Sequence, residues 1–390
     1  MYATGFCLES DFHLGYNGDC SSLYLPRRLL PFKEFLMRLL HVPVALLFVV
    51  GMAVSHVFAA DTYQVFILAG QSNMEGKAST ELFEHQATFA DTKEFFAPYR
   101  NEDNTKWIER DDVLIKYLGR KGPLTVGYGS RDKTGLELAF GFAMGDYYDE
   151  PVLLIKTAWG GHSLYQKFRP PSAGLPSEEV LQQELAKLQE QTKKNNEKRN
   201  RNDPLPTMEQ VKAEYGVSYR NMMQEVDETL KNAGELFPQL KGKQPQIAGF
   251  VWFQGFNDMF GDHAPGQYEA NMKLLIQDIR QAWDVPQLPV VIGALGQNGS
   301  SPPAENMKKI QDAQLAMNNV PEFAGNVKTI RTDVLVDKTA EAKFPNWQDH
   351  FEEWKLVGSD RPYHYLGSAI WYTRIGNELA KTMIELKSKK

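Results

Sequence analysis

Short runs of apolar residues alternate along the chain with stretches of helical periodicity. The apolar runs predict buried strands at Gln64–Ala69, Val152–Thr157, Ile247–Phe253, Pro289–Ala294 and Val327–Thr332. The periodic stretches predict helices at Leu136–Tyr147, Ser177–Lys194, Ser218–Leu236, Tyr268–Trp283, Pro303–Met317 and Gly367–Leu386. Strands that alternate with helices are typical of a parallel sheet covered on both faces. The pattern therefore predicts an α/β fold with a central parallel sheet.

Two stretches interrupt this alternation. Residues 85–130 are rich in charged and aromatic side chains and have weak periodicity. Residues 193–204, KKNNEKRNRNDP, are so polar that they predict a solvated loop or a frayed helix end, although a basic run can also bind a polyanion. We therefore expect one domain over residues 61–390, with a helical and charged insertion around residues 175–215.

Residues 1–60 differ in character from the rest of the chain. From Met37 the chain carries one basic residue, Arg38, then the apolar stretch Val42–Val54 and small residues that end at Ala59 and Ala60. This layout predicts a signal peptide at residues 37–60, cleaved after Ala59 or Ala60, and a secreted or periplasmic protein without stable membrane insertion. Residues 1–36 are then an extension upstream of the true start; the alternative is a genuine N-terminal extension with a signal anchor.

Composition narrows the possible partners and chemistry. The 390 residues carry a formal net charge of -6, which disfavours nucleic acid or an anionic membrane as the main partner. Both cysteines, Cys7 and Cys20, precede the predicted signal peptide, so the mature chain would have no disulfide, no thiolate nucleophile and no cysteine-bound metal. The sequence leaves the oligomeric state open.

Polar residues follow three of the predicted strands at the points where the strands end. These exits are residues 70–73, 157–163 and 254–258, and a fourth polar cluster, Ser359–His364, precedes the last helix. In doubly wound sheets, ligands bind at the carboxyl ends of the strands. Serine, histidine and aspartate that meet there can act as a nucleophile, its base and the group that orients the base.

Each of these residues also has an ordinary structural interpretation. Ser72 can cap a helix, the glycines at 160 and 161 can serve a tight turn, and an isolated histidine can pack at an interface. We favour His364 as the base because it closely follows an acidic residue and precedes a helix. After residue 60, the histidines are His85, His162, His263, His350 and His364.

Together, the four clusters resemble the sialate O-acetylesterase domain, which is shared with carbohydrate esterase family 6 and belongs to the SGNH-hydrolase superfamily. The resemblance implies a flavodoxin-like three-layer α/β/α fold. It also implies that a serine removes acetyl groups from O-acetylated sugars without a metal or a cofactor. The matching blocks follow the family's order over residues 62–388: Gly-Gln-Ser-Asn-Met at 70–74, Gly160-Gly161, Trp-x-Gln-Gly at 252–255, and Asp360 with His364.

Carried over by position, the resemblance assigns Ser72 as the nucleophile, His364 as the general base and Asp360 as the residue that orients it. Preorganised donors stabilise the negative charge that develops on an ester carbonyl. The resemblance implies that these donors are the backbone N–H groups of Ser72 and Gly161 and a side chain of Gln254 or Asn257. The substrate-binding candidates around them are Gln71, Trp159, Phe256 and Tyr363.

The sequence departs from the family pattern at two positions. Phe256 stands where many members have a glutamate, and Asp360 lies four residues before His364 instead of three. Because of this shift, Asp258, Asp349 or a backbone carbonyl is an alternative partner for the histidine.

The sequence thus predicts an exported serine esterase that removes O-acetyl groups from a carbohydrate, of the acetyl-xylan or sialate type, through an acetyl-enzyme intermediate. One alternative is a carbohydrate-binding protein of the same fold whose catalytic residues have decayed. Another is an esterase for other short acyl groups. The chain lacks a Gly-x-Ser-x-Gly sequence, which counts against a typical lipase.

Overall fold

The computed structural model describes residues 61–388. The predicted extension at residues 1–36, the predicted signal peptide at residues 37–60 and both cysteines lie outside the described residues. Within residues 61–388, no helix is both long enough and apolar enough to cross a membrane.

Strands and helices alternate through the described chain. The strands are β1 Thr62–Gly70, β2 Ala78–Ser79, β3 Arg110–Tyr117, β4 Arg120–Leu124, β5 Lys133–Thr134, β6 Val152–Ala158, β7 Gln244–Phe253, β8 Val290–Ala294 and β9 Val327–Arg331. The helices are α1 Ser72–Glu75, α2 Thr80–Thr88, α3 Lys93–Phe96, α4 Glu137–Tyr147, α5 Glu178–Arg199, α6 Met208–Glu214, α7 Val217–Lys231, α8 Ala233–Leu236, α9 Ala264–Ala282, α10 Glu305–Ala316, α11 Lys338–Lys343, α12 Phe351–Trp354 and α13 Ala369–Ser388.

A mostly parallel sheet forms the centre of the described chain. Its seven strands lie in the order β4-β3-β6-β1-β7-β8-β9, and the neighbouring pairs are parallel except for β3 and β4 at one edge. β1 lies between β6 and β7, and Gly70 at its end pairs with Ala158 and Phe253. The three polar strand exits are therefore neighbours at the carboxyl ends of the strands.

Helices cover both faces of the sheet, which confirms the predicted three-layer α/β/α fold. Alternate residues of β1 enter different cores, because successive side chains of a strand point to opposite faces. Phe66 and Leu68 pack with residues of α4 and α13. Val65, Ile67 and Ala69 pack with residues of α7, α9 and α10.

The predicted strands and helices occur with shifts at their ends, except that the helix predicted at Ser218–Leu236 is divided at Asn232 into α7 and α8. The polar run at residues 193–204 continues α5 as far as Arg199 before the chain becomes irregular. Residues 85–130, which the sequence left without assigned structure, contain the antiparallel pair β3 and β4. Pro123 lies in β4 at the edge of the sheet, where a strand tolerates the missing N–H.

Candidate active site

Ser72 lies where β1 passes into α1. A side chain at Gly70 would place its Cβ 2.2 Å from the carbonyl oxygen of Phe253, so the close approach of β1 and β7 requires glycine. After Gln71, α1 begins at Ser72, whose exposed fraction is 9%. Within residues 61–388, no hydrogen bond occupies the Ser72 hydroxyl. Bonds between a nucleophile and its base often tighten only when substrate is bound.

Asn73 connects the nucleophile turn to the segment that carries His364. Its Nδ2 donates to the carbonyl of Tyr363 at 3.0 Å. Its Oδ1 accepts from the hydroxyl of Tyr372 in α13 at 2.9 Å. The residue after Ser72 is thus bonded to the residue before His364, which brings the two predicted catalytic residues to the same edge of the sheet.

Asp360 lies beside His364, where a catalytic triad requires a carboxylate. Asp360 Oδ1 is 3.1 Å from His364 Nδ1, although the N–H is not aligned for a full hydrogen bond. Partial burial acts to raise the pKa of Asp360, but the contact with His364 and the N–H of Arg361 outweigh burial and hold that pKa below its ordinary value. An ionised carboxylate in this place can hold the imidazole and stabilise its positive charge.

The chain around His364 forms a closed loop that absorbs the additional residue. The N–H groups of Ser359 and Asp360 both donate to the carbonyl of Leu366, at 2.9 and 3.0 Å. Tyr365 and Leu366 have φ values of 53° and 60°, a left-handed conformation that is uncommon for large side chains and typical of functional sites. The four-residue spacing therefore still permits contact between Asp360 and His364.

Neither alternative carboxylate contacts His364. Asp258 is fully buried and accepts hydrogen bonds from the N–H groups of Leu164 and Tyr165 at 2.9 and 2.8 Å. Burial raises the pKa of Asp258 to about 6, against the opposing effect of its hydrogen bonds. Asp349 is exposed to solvent. Of the three candidates, Asp360 is the one that the structure brings to His364.

The Gly160-Gly161 exit has one N–H group available for a ligand. Gly160 N–H donates to Glu75 Oε1 at 2.6 Å, and Glu75 also accepts from Lys77 and Ser130 at 2.6 and 2.8 Å. Gly161 is exposed and has a φ of 79°. Its N–H donates to none of the described residues. The geometry thus favours Gly161 as an oxyanion donor.

Asn257 is better placed than Gln254 to supply the side-chain donor. Gln254 Nε2 donates to Asp258 Oδ2 at 2.6 Å and to the carbonyl of His162 at 3.0 Å, and the side chain is only 1% exposed. Asn257 is half-buried, and its Oδ1 accepts from Gln71 Nε2 at 3.0 Å. Its Nδ2 donates to no other residue of the described chain.

Gln71 does not have the position expected of a substrate-binding residue. Its side chain is 1% exposed, and its Oε1 accepts from the N–H groups of Gly255 and Asn257 at 3.2 and 3.3 Å. Gln71 therefore holds the third strand exit against the nucleophile turn and is shielded from a ligand.

Aromatic side chains surround the His364 loop. Tyr363 is 43% exposed, and its ring lies 4.5 Å from the His364 ring and 5.7 Å from the Phe256 ring. Phe260, 57% exposed, continues this surface at 5.3 Å from Phe256. Trp159 packs against Phe168 at 5.8 Å and is half-buried. Phe256 and Tyr363 thus remain accessible beside His364, as a substrate-binding role requires.

The other histidines have partners elsewhere. His162 Nδ1 is 2.6 Å from Ser218 Oγ, and burial and then Lys167 lower the pKa of His162. His85 stacks on Phe89, His263 stacks on Tyr165, and His350 Nε2 contacts the carbonyl of Lys343.

A buried ion pair supports the nucleophile turn from below, and sequence reasoning missed it. Lys156 Nζ lies 2.9 Å from Glu137 Oε2, and it donates to the carbonyls of Glu75 and Tyr128 at 2.6 and 2.8 Å. Burial lowers the pKa of Lys156, and Glu137 opposes this effect. The sequence does contain a signal for this ion pair, because Lys156 lies within the apolar run VLLIKTA and a buried charge requires a partner.

The chain is similar to known carbohydrate esterases. The model of the family described as carbohydrate esterase, sialic acid-specific acetylesterase, matches residues 62–200 and 206–344. A probable carbohydrate esterase of Arabidopsis thaliana is 27% identical over 99 residues, which is 25% of this chain and 32% of that protein. The match thus spans about a third of that relative's length.

Solved structures include similar but distant chains. NanS has a TM-score of 0.46 at 12% identity, over 86% of this chain and 100% of NanS. A carbohydrate acetylesterase from Xanthomonas citri has a TM-score of 0.38 at 12% identity, over 70% of this chain and 51% of that chain. An Arabidopsis thaliana protein has a TM-score of 0.44 at 16% identity, over 82% of this chain and 97% of that chain.

Proposed function

Because the chain belongs to the sialic acid-specific acetylesterase family of carbohydrate esterases, we propose that it is a serine esterase that removes O-acetyl groups from an acetyl-xylan or sialate type of sugar. The contact between Asp360 and His364 at 3.1 Å, beside the turn that carries Ser72, is the observation that carries this proposal. A decayed binding protein would have no reason to keep that contact at an unusual spacing.

In the proposed first step, Ser72 Oγ attacks the acetyl carbonyl carbon while His364 accepts the hydroxyl proton. The carbonyl electrons move onto oxygen, and the N–H groups of Ser72 and Gly161 and the Nδ2 of Asn257 stabilise that charge. The intermediate then collapses, the bond to the sugar oxygen breaks, and His364 donates its proton to that oxygen. An acetyl group remains on Ser72.

In the second step, water attacks the acetyl carbonyl while His364 accepts a proton from the water. Collapse breaks the bond to Ser72 Oγ, which regains a proton from His364, and acetate leaves. Asp360 stays ionised throughout and stabilises the imidazolium. Phe256 and Tyr363 would border the sugar, because ring faces beside a polar site suit the apolar faces of a sugar.

The test is acetate release from 4-nitrophenyl acetate, acetylated xylan and an O-acetylated sialic acid. We expect activity in the wild type and its loss in Ser72→Ala, with the acetyl adduct of Ser72 visible by mass spectrometry at early times. Ser163→Ala is the matched control, since Ser163 is a hydroxyl at a neighbouring strand exit. Full activity in Ser72→Ala would refute the assignment of the nucleophile.

The same assay separates the alternatives. Binding of an acetylated sugar by folded protein, without turnover, would favour the decayed binding protein. Faster turnover of butyryl or octanoyl esters than of acetyl esters would favour an esterase for other acyl groups.

We also propose that the protein is exported, on the basis of the layout of residues 37–60. N-terminal sequencing of protein recovered from outside the cytoplasm should begin at Ala60 or Asp61.

A further inference from the structure

A cleft of about 650 Å³ is lined by Asp360 and by residues that the proposed mechanism does not use. We call it the Arg361 cleft. One wall comes from α2 and the β5 region, and the other from residues 347–361. The second wall follows residue 344, the last residue of the family match. The lining of the cleft includes Lys133, Trp347, Phe351, Lys355 and Arg361.

The wall formed by residues 347–361 carries aromatic rings that are accessible to a ligand. Phe351 is 48% exposed, and its ring lies 5.9 Å from that of the half-buried Trp347. Trp354 is 3% exposed and packs at 6.3 Å from Trp347, so it supports the ring from inside. Accessible aromatic faces held on a rigid base provide a platform for flat apolar surfaces, and the faces of pyranose rings are of this kind.

The cleft also presents two cationic side chains that form no direct ion pair with a carboxylate of the described residues. The Arg361 guanidinium lies over the Trp347 ring at 4.8 Å and, among residues 61–388, forms no ion pair. Lys133 likewise has no ion pair among these residues, and it is close enough to Asp360 to help lower the pKa of that carboxyl. Lys355, by contrast, pairs with Glu352.

Two carboxylates, those of Asp360 and Glu81, line the same cleft. Asp360 faces His364 at 3.1 Å and Glu81 is exposed on α2, and neither forms an ion pair with Lys133 or Arg361. A ring platform with two unpaired cations beside it matches a sugar that carries an anionic group, because a charged hydrogen bond adds to the contact with the ring face.

We propose that the Arg361 cleft binds a second, negatively charged sugar unit of the substrate, with a carboxylate or sulfate group between Lys133 and Arg361 and its ring against Trp347 and Phe351. This inference rests on the proposed esterase function and adds the substrate class: an acetylated acidic oligosaccharide or polysaccharide. Asp360 contacts the base and also lines the cleft. The second sugar would therefore lie next to the catalytic residues.

The test measures binding without turnover. Full-length Ser72→Ala protein is titrated by calorimetry with tetragalacturonate, a sulfated carrageenan tetrasaccharide and neutral xylotetraose. We expect an anionic probe to bind more tightly than xylotetraose, and its affinity to fall as salt is raised. The two anionic probes distinguish a carboxylate from a sulfate.

Substitutions locate the site. Arg361→Gln and Lys133→Gln, each in Ser72→Ala, should weaken binding of the anionic probe by about tenfold, roughly the effect of one charged contact. Lys355→Gln is the matched control, because the charge of Lys355 is already paired, and we expect a change of about twofold or less. Near-ultraviolet circular dichroism checks that each variant is folded.

Unchanged affinity in both Arg361→Gln and Lys133→Gln would overturn the inference, and so would equal affinity for the neutral and anionic probes. Charge-dependent binding in a protein that releases no acetate would support the cleft and reject the esterase proposal. Acetate release without charge-dependent binding would do the reverse.

Discussion

Gln71 Nε2 donates a hydrogen bond of 3.0 Å to Asn257 Oδ1. Because Asn257 Oδ1 accepts this bond, Asn257 Nδ2 is the free end of its amide. The orientation of the Gln71 amide itself is set by backbone N–H groups, which can only donate. The backbone N–H groups of Gly255 and Asn257 both donate to Gln71 Oε1, so the other end of the Gln71 amide must be its NH₂ group. Asn257 Nδ2 is thereby left to point away from Gln71.

We predict that Asn257→Ala lowers kcat for 4-nitrophenyl acetate by about 10²- to 10³-fold, the usual effect of removing an oxyanion donor. Asn257→Asp, which keeps the size and removes the donor, should lower kcat at least as much because it adds negative charge beside the oxyanion. KM should change little in both variants. Steady-state kinetics checks this, and a normal kcat in Asn257→Asp would show that Nδ2 does not contact the oxyanion.

Glu75 offers a matched pair of substitutions at the second strand exit. Its Oε1 accepts from Gly160 N–H at 2.6 Å and so positions the adjacent Gly161. Glu75→Gln retains an oxygen for this bond, whereas Glu75→Ala does not. We predict that Glu75→Ala lowers kcat by about tenfold, equivalent to one lost hydrogen bond, and that Glu75→Gln lowers it less. Equal losses in the two variants would assign the effect to charge and not to loop position.

Asp360 is predicted to orient His364 despite its unusual spacing. Its pKa lies below the ordinary value, so it is ionised at neutral pH, and Asp360→Asn removes the charge that stabilises the imidazolium. By comparison with serine proteases, we predict a fall in kcat of about 10²- to 10⁴-fold. Asp349→Asn is the control, because Asp349 is exposed, and it should have normal kinetics. Loss of activity in Asp349→Asn alone would transfer the role to that residue.

The sequence predicts the strand exits well because apolar runs and the polar residues after them are local signals. Ser72 could be proposed in this way, and His364 could be proposed from the polar cluster before the last helix. The roles of Gln71 and Asn73 could not, because their partners Asn257 and Tyr363 lie 186 and 290 positions away. Those contacts depend on the placement of β1 between β6 and β7, which no local pattern specifies.

Burial and hydrogen bonding favour one member of each pair of alternatives that the sequence left open. Gln254 and Asn257 are equivalent as sequence letters, but the structure uses the Gln254 amide internally. Asp258 and Asp360 are both near the site, but Asp258 is occupied by Leu164 and Tyr165. β3 and β4 were missed because charged residues begin β3, and the edge strand β4, RKGPL, consists mostly of charged and turn-forming residues that hide the period.

Asp258 makes the stability of the protein depend on pH in a direction that can be calculated. Burial raises its pKa from 3.8 to about 6 in the folded protein. Between these two values, the unfolded chain releases the proton while the folded chain keeps it. The contribution of Asp258 is therefore fully present below about pH 4 and is lost as the pH rises through about 6.

We predict that the free energy of unfolding of the wild type falls, relative to Asp258→Asn, by on the order of 3 kcal/mol between pH 4 and pH 7. The substitution also has a cost that does not depend on pH, because an amide NH₂ then faces one of the donors that Asp258 accepts. That cost shifts the free energy of unfolding of Asp258→Asn by the same amount at every pH. It leaves unchanged the pH dependence of the difference between the two proteins. Urea unfolding of both proteins across this range measures the slope. A difference that is constant with pH would mean that the bonds from Gln254, Leu164 and Tyr165 fully offset burial, and one that rises with pH would mean that they outweigh it.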